Sequence, residues 1–225
     1  MGQTHVPETG LSAVAEALAD AAGAAILPHF RSGLVAQNKA HEGFDPVTEA
    51  DRAAERAMRA ALARSRPDDA ILGEEFGSSG GSSGLTWVLD PIDGTRGFLA
   101  GTPTWGVLIA AVGPDGPVVG VIDQPYIGER FIGTREEARW HGPHGAGRLA
   151  VRATRTLEEA ILFTTFPEVG TPQHARAFAR VAERVRLVRY GLDCYAYALL
   201  AMGQIDLVIE AGLQPHDIAA PIAVI

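Results

Sequence analysis

Two aspartates, Asp90 and Asp93, stand three residues apart at the end of an apolar, strand-like run in the sequence WVLDPIDGTR (87–96). Pro91 predicts that the strand ends at Asp90, because proline has no backbone N–H and fixes a rigid turn. The turn would return Asp93 to the side of Asp90, so that both carboxylates could hold neighbouring cations. The carbonyl of Ile92 would then be free to act as a further oxygen ligand.

Gly94 and Thr95 follow the second aspartate and are predicted to open a short helix. Backbone N–H groups at a helix N-terminus bind phosphate oxygens, because they have no partner within the helix. One short loop would therefore hold two metal ions and a phosphate group. The alternative is an aspartate-rich turn in which the side chains only cap the backbone.

Further acidic residues fall at the ends of other predicted elements: Asp45 with Asp51, Glu74 with Glu75, and Asp217. Each has an ordinary alternative. Thr48 and Asp51 form a capping-box pattern, the glutamates would make an exposed pair, and Asp217 suits a helix start. If several of these acids converge, they cannot all stay ionised without shared protons or divalent cations. Oxygen ligands suit Mg²⁺, Mn²⁺ or Ca²⁺, and the seven histidines show no HxH or HExxH spacing that would indicate zinc.

The periodicity of the apolar residues predicts the elements that must position these side chains. In the first part of the chain we expect helices at 11–30 and 48–63 and strands at 70–72, 86–89, 105–112, 118–123 and 130–133. In the second part we expect strands at 161–165, 186–190 and 205–210 and helices at 174–184, 194–202 and 218–225. Between two of the strands, GSSGGSSG (77–84) is predicted to be a flexible linker.

This order of elements predicts an α/β protein in which an α+β half is followed by an alternating α/β half. We expect an N-terminal subdomain at 1–150, with the metal-binding loops, and a shorter C-terminal subdomain at 151–225. The chain has 225 residues, of which 47% are hydrophobic, and is long enough to bury a large core in such a pair.

The composition argues against several classes of protein. A net charge of -8 is the opposite of what a nucleic-acid-binding surface needs. The single cysteine, Cys194, allows no internal disulfide and fits a reducing compartment. The N-terminal MGQTHVPETG has neither the basic nor the apolar region of a secretory signal, and no apolar run approaches the roughly 20 residues of a membrane span. We therefore expect a cytoplasmic protein with no nucleic-acid or membrane partner.

Four motifs together resemble the inositol-monophosphatase-like family of Mg²⁺-dependent, Li⁺-sensitive phosphatases: DPVTEAD (45–51), GEE (73–75), DPIDGT (90–95) and DIAA (217–220). The resemblance runs from about Leu11 to Ile225. It implies a layered α-β-α-β-α sandwich of the inositol-monophosphatase and fructose-bisphosphatase type, with the site where the two halves meet. It also implies a homodimer.

The resemblance implies ligands for two to three Mg²⁺ ions, with Mn²⁺ as an alternative metal. Glu74, Asp90 and the Ile92 carbonyl resemble the ligands of a first ion. Asp90, Asp93 and Asp217 resemble those of a second ion, and Glu74 would reach a third through water.

The resemblance also implies roles in catalysis. Thr95 with Asp51 resembles the pair that orients and deprotonates the attacking water, and the amides of Gly94 and Thr95 would hold the phosphate. Glu75 and Asp45 resemble residues that support the site. The implied reaction is in-line attack of water on a small phosphomonoester.

Within the family, three stretches most resemble the histidinol-phosphate phosphatase branch: 95–110, 120–133 and 190–220. The residues expected to contact the substrate are Asp93, Gly94, Thr95, Asp193, Glu210 and Asp217. Asp193 and Glu210 would face its organic part, where two acids suit the ammonium and imidazole of histidinol better than neutral inositol. Asp193 is equally suited to be the N-cap of a helix that begins at Cys194.

The leading hypothesis is therefore an Mg²⁺-dependent phosphatase of L-histidinol phosphate. The alternatives are a phosphatase of inositol, a sugar or a nucleotide, and an inactive scaffold or shortened form of the same fold. Two features depart from the family, since His216 stands where many members have Trp or Tyr and Pro221 lies inside the final helix. Members also continue past Ile225 with a Gly-rich, strand-forming segment.

Overall fold

In the part of the chain that the computed structural model describes, residues 10–33, 37–38 and 46–225, helices and strands form layers. The helices are α1 (Leu11–Ile26), α2 (Glu49–Ser65), α3 (Thr95–Ala100), α4 (Pro172–Ala182), α5 (Cys194–Ala201) and α6 (Pro215–Val224). The strands are β1 (Gln37–Asn38), β2 (Pro46–Val47), β3 (Ala70–Gly73), β4 (Gly77–Ser79), β5 (Thr86–Asp93), β6 (Gly106–Gly113), β7 (Gly116–Gln124), β8 (Glu129–Thr134), β9 (Ala138–Gly142), β10 (Gly145–Arg148), β11 (Ile161–Thr164), β12 (Leu187–Tyr190) and β13 (Leu207–Val208). Asp45, for which the resemblance implies a supporting role, lies outside the described residues.

Eight strands form the larger sheet, in the order β10-β9-β8-β7-β6-β5-β3-β4. Neighbouring strands are antiparallel except β3 and β5, which are parallel. The face with Trp87 and Leu89 packs against α1 and α2, and the face with Val88 and Leu108 packs against α5 and α6. Successive side chains of a strand point to opposite faces, so β5 contributes to both cores.

The smaller sheet has three parallel strands in the order β12-β11-β13. Phe178 of α4 packs against Leu162 of this sheet, and α5 contacts β13. The layers therefore run α1 and α2, larger sheet, α5 and α6, smaller sheet, α4, which confirms the predicted layered α/β fold. The division near residue 150 stays a prediction, and α6 packs on the sheet built from the first part of the chain.

Helix α1 with the 3₁₀ turn that follows it, Leu11–His29, is long and apolar enough to cross a membrane by length and composition alone. This finding corrects the expectation that no apolar run approaches that length. Leu11, Leu18 and Ile26 are fully buried between α2 and the larger sheet. Their apolar surface is therefore used in the core of this fold.

The segment 77–84 is not the flexible linker that its composition predicts. Its first residues form β4, which pairs antiparallel with β3, and the N–H groups of Ser82 and Ser83 donate to the Asp68 carbonyl at 2.7 and 3.0 Å. Backbone hydrogen bonds need no apolar side chain, so a Gly-Ser segment can form an edge strand. Strands β9 and β10 were not predicted either, because they are short and carry no alternating apolar pattern.

Helix α6 lies close to the larger sheet because two strands have glycine where the helix crosses them. A Cβ on Gly120 would lie 2.4 Å from the Ala220 carbonyl oxygen, and one on Gly133 would lie 1.8 Å from that of Ala223. Pro221 lies inside the helix, as expected, and removes one helical hydrogen bond. This close packing fixes the position of α6 on the sheet.

Candidate active site

Glu74 and Asp90 lie side by side because β3 and β5 are parallel neighbours and the two residues follow a paired position in each chain segment. Gly73 pairs with Leu89 in the register, and the N–H of Glu74 donates to the Leu89 carbonyl at 3.1 Å. Glu74 follows Gly73, and Asp90 follows Leu89, so the next residue in each segment is a carboxylate. The parallel pairing therefore brings these two predicted residues together.

Asp90 and Asp93 face the same side because β5 has a β-bulge between them. Asp90 pairs with Leu108 and Asp93 with Gly106, so three residue steps in β5 match two in β6. Without the extra residue, positions three apart in a strand would point to opposite faces. The prediction that the strand stops at Asp90 is wrong, since β5 continues through Pro91 to Asp93 and the bulge takes the place of the expected turn.

Asp217 joins the cluster from the first turn of α6. Its Oδ2 accepts a hydrogen bond of 2.6 Å from the N–H of Gln214 in a capping box, so it does serve as a helix-start residue. Carboxylate oxygens of Asp90, Asp93 and Asp217 lie within 4.8 Å of one another. The capping role and a place in the cluster are therefore compatible.

Burial and mutual repulsion raise the pKa values of the clustered aspartates. Burial, with the charges of Glu74, Asp93 and Asp217, raises the pKa of Asp90 well above its ordinary value. Burial and the charges of Asp193 and Asp217 raise the pKa of Asp93 to about 8. Asp90 Oδ1 is buried and has no hydrogen-bond partner among the described residues. A buried oxygen without a donor, surrounded by other carboxylates, fits a hard divalent cation.

Asp51 and Thr95, which the resemblance pairs, are each held by a local hydrogen bond. Asp51 is buried, and its Oδ2 accepts from the N–H and the hydroxyl of Thr48, which confirms the capping box of α2. Burial raises the pKa of Asp51, and the charge of Glu74 adds to this effect. The Thr95 hydroxyl donates to the Ile92 carbonyl at 3.0 Å, and that oxygen has a second lone pair with which it can bind an ion.

Gly94 links β5 to α3 at a position that only glycine fits. Its φ is +85°, and a Cβ there would lie 2.9 Å from the side chain of Asp193. Asp193 directly precedes α5, but its side chain makes no capping hydrogen bond. The N–H of Cys194 donates instead to Asp93 Oδ2 at 2.5 Å. The Asp193 carboxylate is therefore not used to cap α5.

A cavity of 190 Å³ adjoins the carboxylate cluster and has two further acids on its walls, Asp193 and Glu210. Burial raises the pKa of Asp193 to about 6, and the charge of Glu210 adds to this effect. Burial also raises the pKa of Glu210, whose Oε1 accepts from the N–H and hydroxyl of Thr165 at 2.7 and 2.9 Å. Phe166 and Tyr197 give the same cavity aromatic surfaces. The cavity thus combines negative charge with flat apolar walls.

Glu55 supports the site, although no motif singles it out. It is fully buried on α2 and accepts hydrogen bonds from the N–H groups of Glu75 at 2.7 Å and Phe76 at 3.2 Å. A Cβ on Gly73 would lie 1.9 Å from Glu55 Oε1, so the turn after β3 closes directly over this carboxylate. The sequence feature that indicates a buried role for Glu55 is its position on the apolar face of α2, beside Met58.

His216 is a second residue that the sequence pattern did not identify as part of a metal site. A ring nitrogen of His216 and carboxylate oxygens of Glu74 and Asp90 lie within 4.8 Å of one another. The three residues come from α6, the turn after β3, and β5. A spacing motif cannot reveal such a group, because its members are far apart in the chain.

The inositol monophosphatase family model matches residues 8–225 of the chain. The bifunctional phosphatase IMPL2, chloroplastic, of Arabidopsis thaliana is 42% identical over 217 residues, which are 95% of this chain and 61% of the plant protein. The histidinol-phosphatase of Mycobacterium tuberculosis is 38% identical over 178 residues, which are 78% of this chain and 68% of that protein. A solved structure of an inositol monophosphatase from Zymomonas mobilis matches with a TM-score of 0.84 and 38% identity, over 97% of this chain and 83% of that one. The chain thus spans less than two thirds of the length of the plant relative.

Proposed function

The chain belongs to the inositol monophosphatase family of phosphatases, and we propose that it hydrolyses L-histidinol phosphate to L-histidinol and phosphate. The observation that carries this proposal is the presence of Asp193 and Glu210 on the walls of the cavity beside the carboxylate cluster. Histidinol has an ammonium and an imidazole, and a hydrogen bond to a charged group contributes about 1.5–3 kcal/mol. A relative named histidinol-phosphatase, 38% identical, supports the same substrate.

The proposed reaction depends on divalent cations, Mg²⁺ above all. Glu74, Asp90 and the Ile92 carbonyl would hold one ion, and Asp90 with Asp93 and Asp217 would hold another. When bound, such ions neutralise phosphate charge and lower the pKa of a coordinated water. The buried Asp90 Oδ1 without a partner supports this assignment.

The chain's own residues would orient the reactants. Thr95 and Asp51 orient the attacking water, and Asp51 accepts its proton, a role that its raised pKa suits. The N–H groups of Gly94 and Thr95 hold the phosphate oxygens. The water oxygen attacks phosphorus in line with the histidinol oxygen, whose bond to phosphorus breaks as the new bond forms, and the released histidinol oxygen takes up a proton from solvent. Asp193 and Glu210 hold the cationic end of the leaving alcohol.

Hydrolysis of inositol monophosphate is the second candidate function. The solved structure from Zymomonas mobilis, which is 38% identical, is that of an inositol monophosphatase. Carboxylates also accept hydrogen bonds from hydroxyl groups, so the same cavity has partners for a polyol. An inactive scaffold is less well supported, because the four acids of the cluster are all present.

Charge-neutral variants of the cavity acids test the substrate. We expect Asp193→Asn and Glu210→Gln each to lower kcat/KM for histidinol phosphate by about 10–100-fold, as the loss of a charge-assisted hydrogen bond predicts. The kcat/KM for inositol-1-phosphate should change much less. Glu168→Gln, at an exposed acid beyond β11, is the matched control. If the preference for histidinol phosphate survives in the double variant, the cavity acids do not recognise the substrate and the proposal fails.

A further inference from the structure

His216 is the second residue of α6, and its side chain faces the carboxylate cluster. Its Nε2 lies 3.5 Å from Asp217 Oδ1, and the side chain is only 20% exposed. Pro215 precedes it at the first helical position, and the capping box between Gln214 and Asp217 encloses it. The helix start therefore fixes the backbone from which the imidazole projects.

The imidazole completes a triangle of donor atoms with Glu74 and Asp90. One ring nitrogen and two carboxylate oxygens lie within 4.8 Å of one another. Small side-chain rotations would bring all three donor atoms to about 2.0–2.2 Å from a shared ion, which is the distance at which nitrogen and oxygen bind a transition metal. Asp90 Oδ1 is buried and has no hydrogen-bond partner among the described residues, so an ion held by this group would satisfy it.

We propose that His216 is a nitrogen ligand of a cation site shared with Glu74 and Asp90, and that this site, which Mg²⁺ also fills in the proposed reaction, binds a first-row transition ion such as Mn²⁺ or Zn²⁺ more tightly than Mg²⁺. Imidazole suits transition ions, whereas Mg²⁺ takes oxygen ligands almost exclusively. The group of Asp90, Asp93 and Asp217 has only oxygen donors and stays suited to Mg²⁺. The inference rests on the proposed metal cluster and makes its two sites unequal, with Asp90 common to both.

Mn²⁺ alone is the probe, because its electron spin detects a directly bound nitrogen. The full chain is freed of metal and loaded with one equivalent of Mn²⁺, and electron spin echo modulation is recorded. We expect ¹⁴N coupling in the wild type and none in His216→Phe. Calorimetry should show that His216→Phe weakens Mn²⁺ binding by at least about tenfold, as losses in a metal site usually do. Binding of Mg²⁺ should change by less than about twofold, because the site with only oxygen donors is intact.

Two further variants make the result decisive. His144→Phe, at an exposed histidine between β9 and β10, should keep both the coupling and the affinity. His216→Gln keeps a polar side chain and should also lose the coupling, which covers the case in which the phenylalanine variant does not fold. A wild type that binds Mn²⁺ without ¹⁴N coupling, or variants at 216 that retain it, would overturn the inference. Mg²⁺-dependent phosphate release by the same samples tests the proposed function separately, so the two failures are distinguishable.

Discussion

Asp90 is the residue that both candidate metal groups share. It pairs with Glu74 and His216 in one group and with Asp93 and Asp217 in the other. Burial and three neighbouring acids raise its pKa, which shows how strongly the cluster opposes another negative charge. A substitution at this position should therefore affect both groups at once.

Asp90→Asn removes the shared charge and is expected to abolish tight Mg²⁺ binding. Metal catalysis contributes several kcal/mol, so kcat for a phosphomonoester should fall by at least about a hundredfold. Steady-state kinetics and calorimetry measure the two effects. Asp115→Asn, at an exposed aspartate in the turn between β6 and β7, is the control. Unchanged Mg²⁺ binding by Asp90→Asn would remove Asp90 from the metal site.

The sequence predicts some of these residues and not others, for a physical reason. The motif around Asp90 and Asp93 is local, so its spacing is visible in the chain. Glu55 and His216 act through contacts between distant segments, and no local pattern contains that information. The sequence suits Asp193 to two roles, and in the structure its side chain makes no capping hydrogen bond.

At the scale of elements, the site depends on how β3, β5 and α6 end. The parallel pairing of β3 with β5 and the bulge in β5 were not predicted, because both depend on strand register rather than on hydrophobic pattern. Apolar periodicity did predict α1, α2 and the central strands, which bury large side chains. It failed at 77–79 and 138–148, where backbone pairing at the sheet edge, or next to it, decides the structure.

The turn after β3 depends on the buried Glu55 carboxylate, which leads to a prediction for a variant at this residue. Glu55→Gln replaces an acceptor of two N–H groups and the partner of Arg59 by an amide, so we expect a loss of about 3 kcal/mol in the free energy of unfolding. Because this turn positions Glu74, Mg²⁺ affinity should also fall by about 10–100-fold. Urea unfolding and calorimetry measure the two quantities.

The same helix offers a matched control for that variant. Glu49→Gln removes an ion pair with Arg56 in which both side chains are about half exposed, and it should change stability by less than about 1 kcal/mol. Equal losses in the two variants would mean that the buried carboxylate has no special role in the turn.

At the scale of the whole molecule, the carboxylate cluster lies where layers of the fold meet. Asp90 lies in β5 of the larger sheet, Glu74 directly follows β3, and Asp217 comes from the helix that packs on this sheet. Four acids in one place repel each other unless cations are bound. A bound cation would therefore link α6 to the sheet as well as serve the reaction.

This link predicts that stability depends on metal. At a Mg²⁺ concentration about 100 times its Kd, binding contributes about 2.7 kcal/mol, which should raise Tm by about 5–10 °C for a chain of this size. Thermal unfolding with EDTA and with Mg²⁺ measures the shift, and Asp90→Asn should show almost none. An equal shift in that variant would place the bound ions elsewhere in the molecule.

We propose that the carboxylate cluster and the acidic cavity together hydrolyse a cationic phosphomonoester. The most direct test is phosphate release by the wild-type chain from L-histidinol phosphate and from inositol-1-phosphate, each with Mg²⁺ and with EDTA. We expect a kcat/KM at least about tenfold higher for histidinol phosphate, the equivalent of about 1.4 kcal/mol, and no release in EDTA. Release that is independent of metal, or equal or faster release from inositol-1-phosphate, would contradict this proposal.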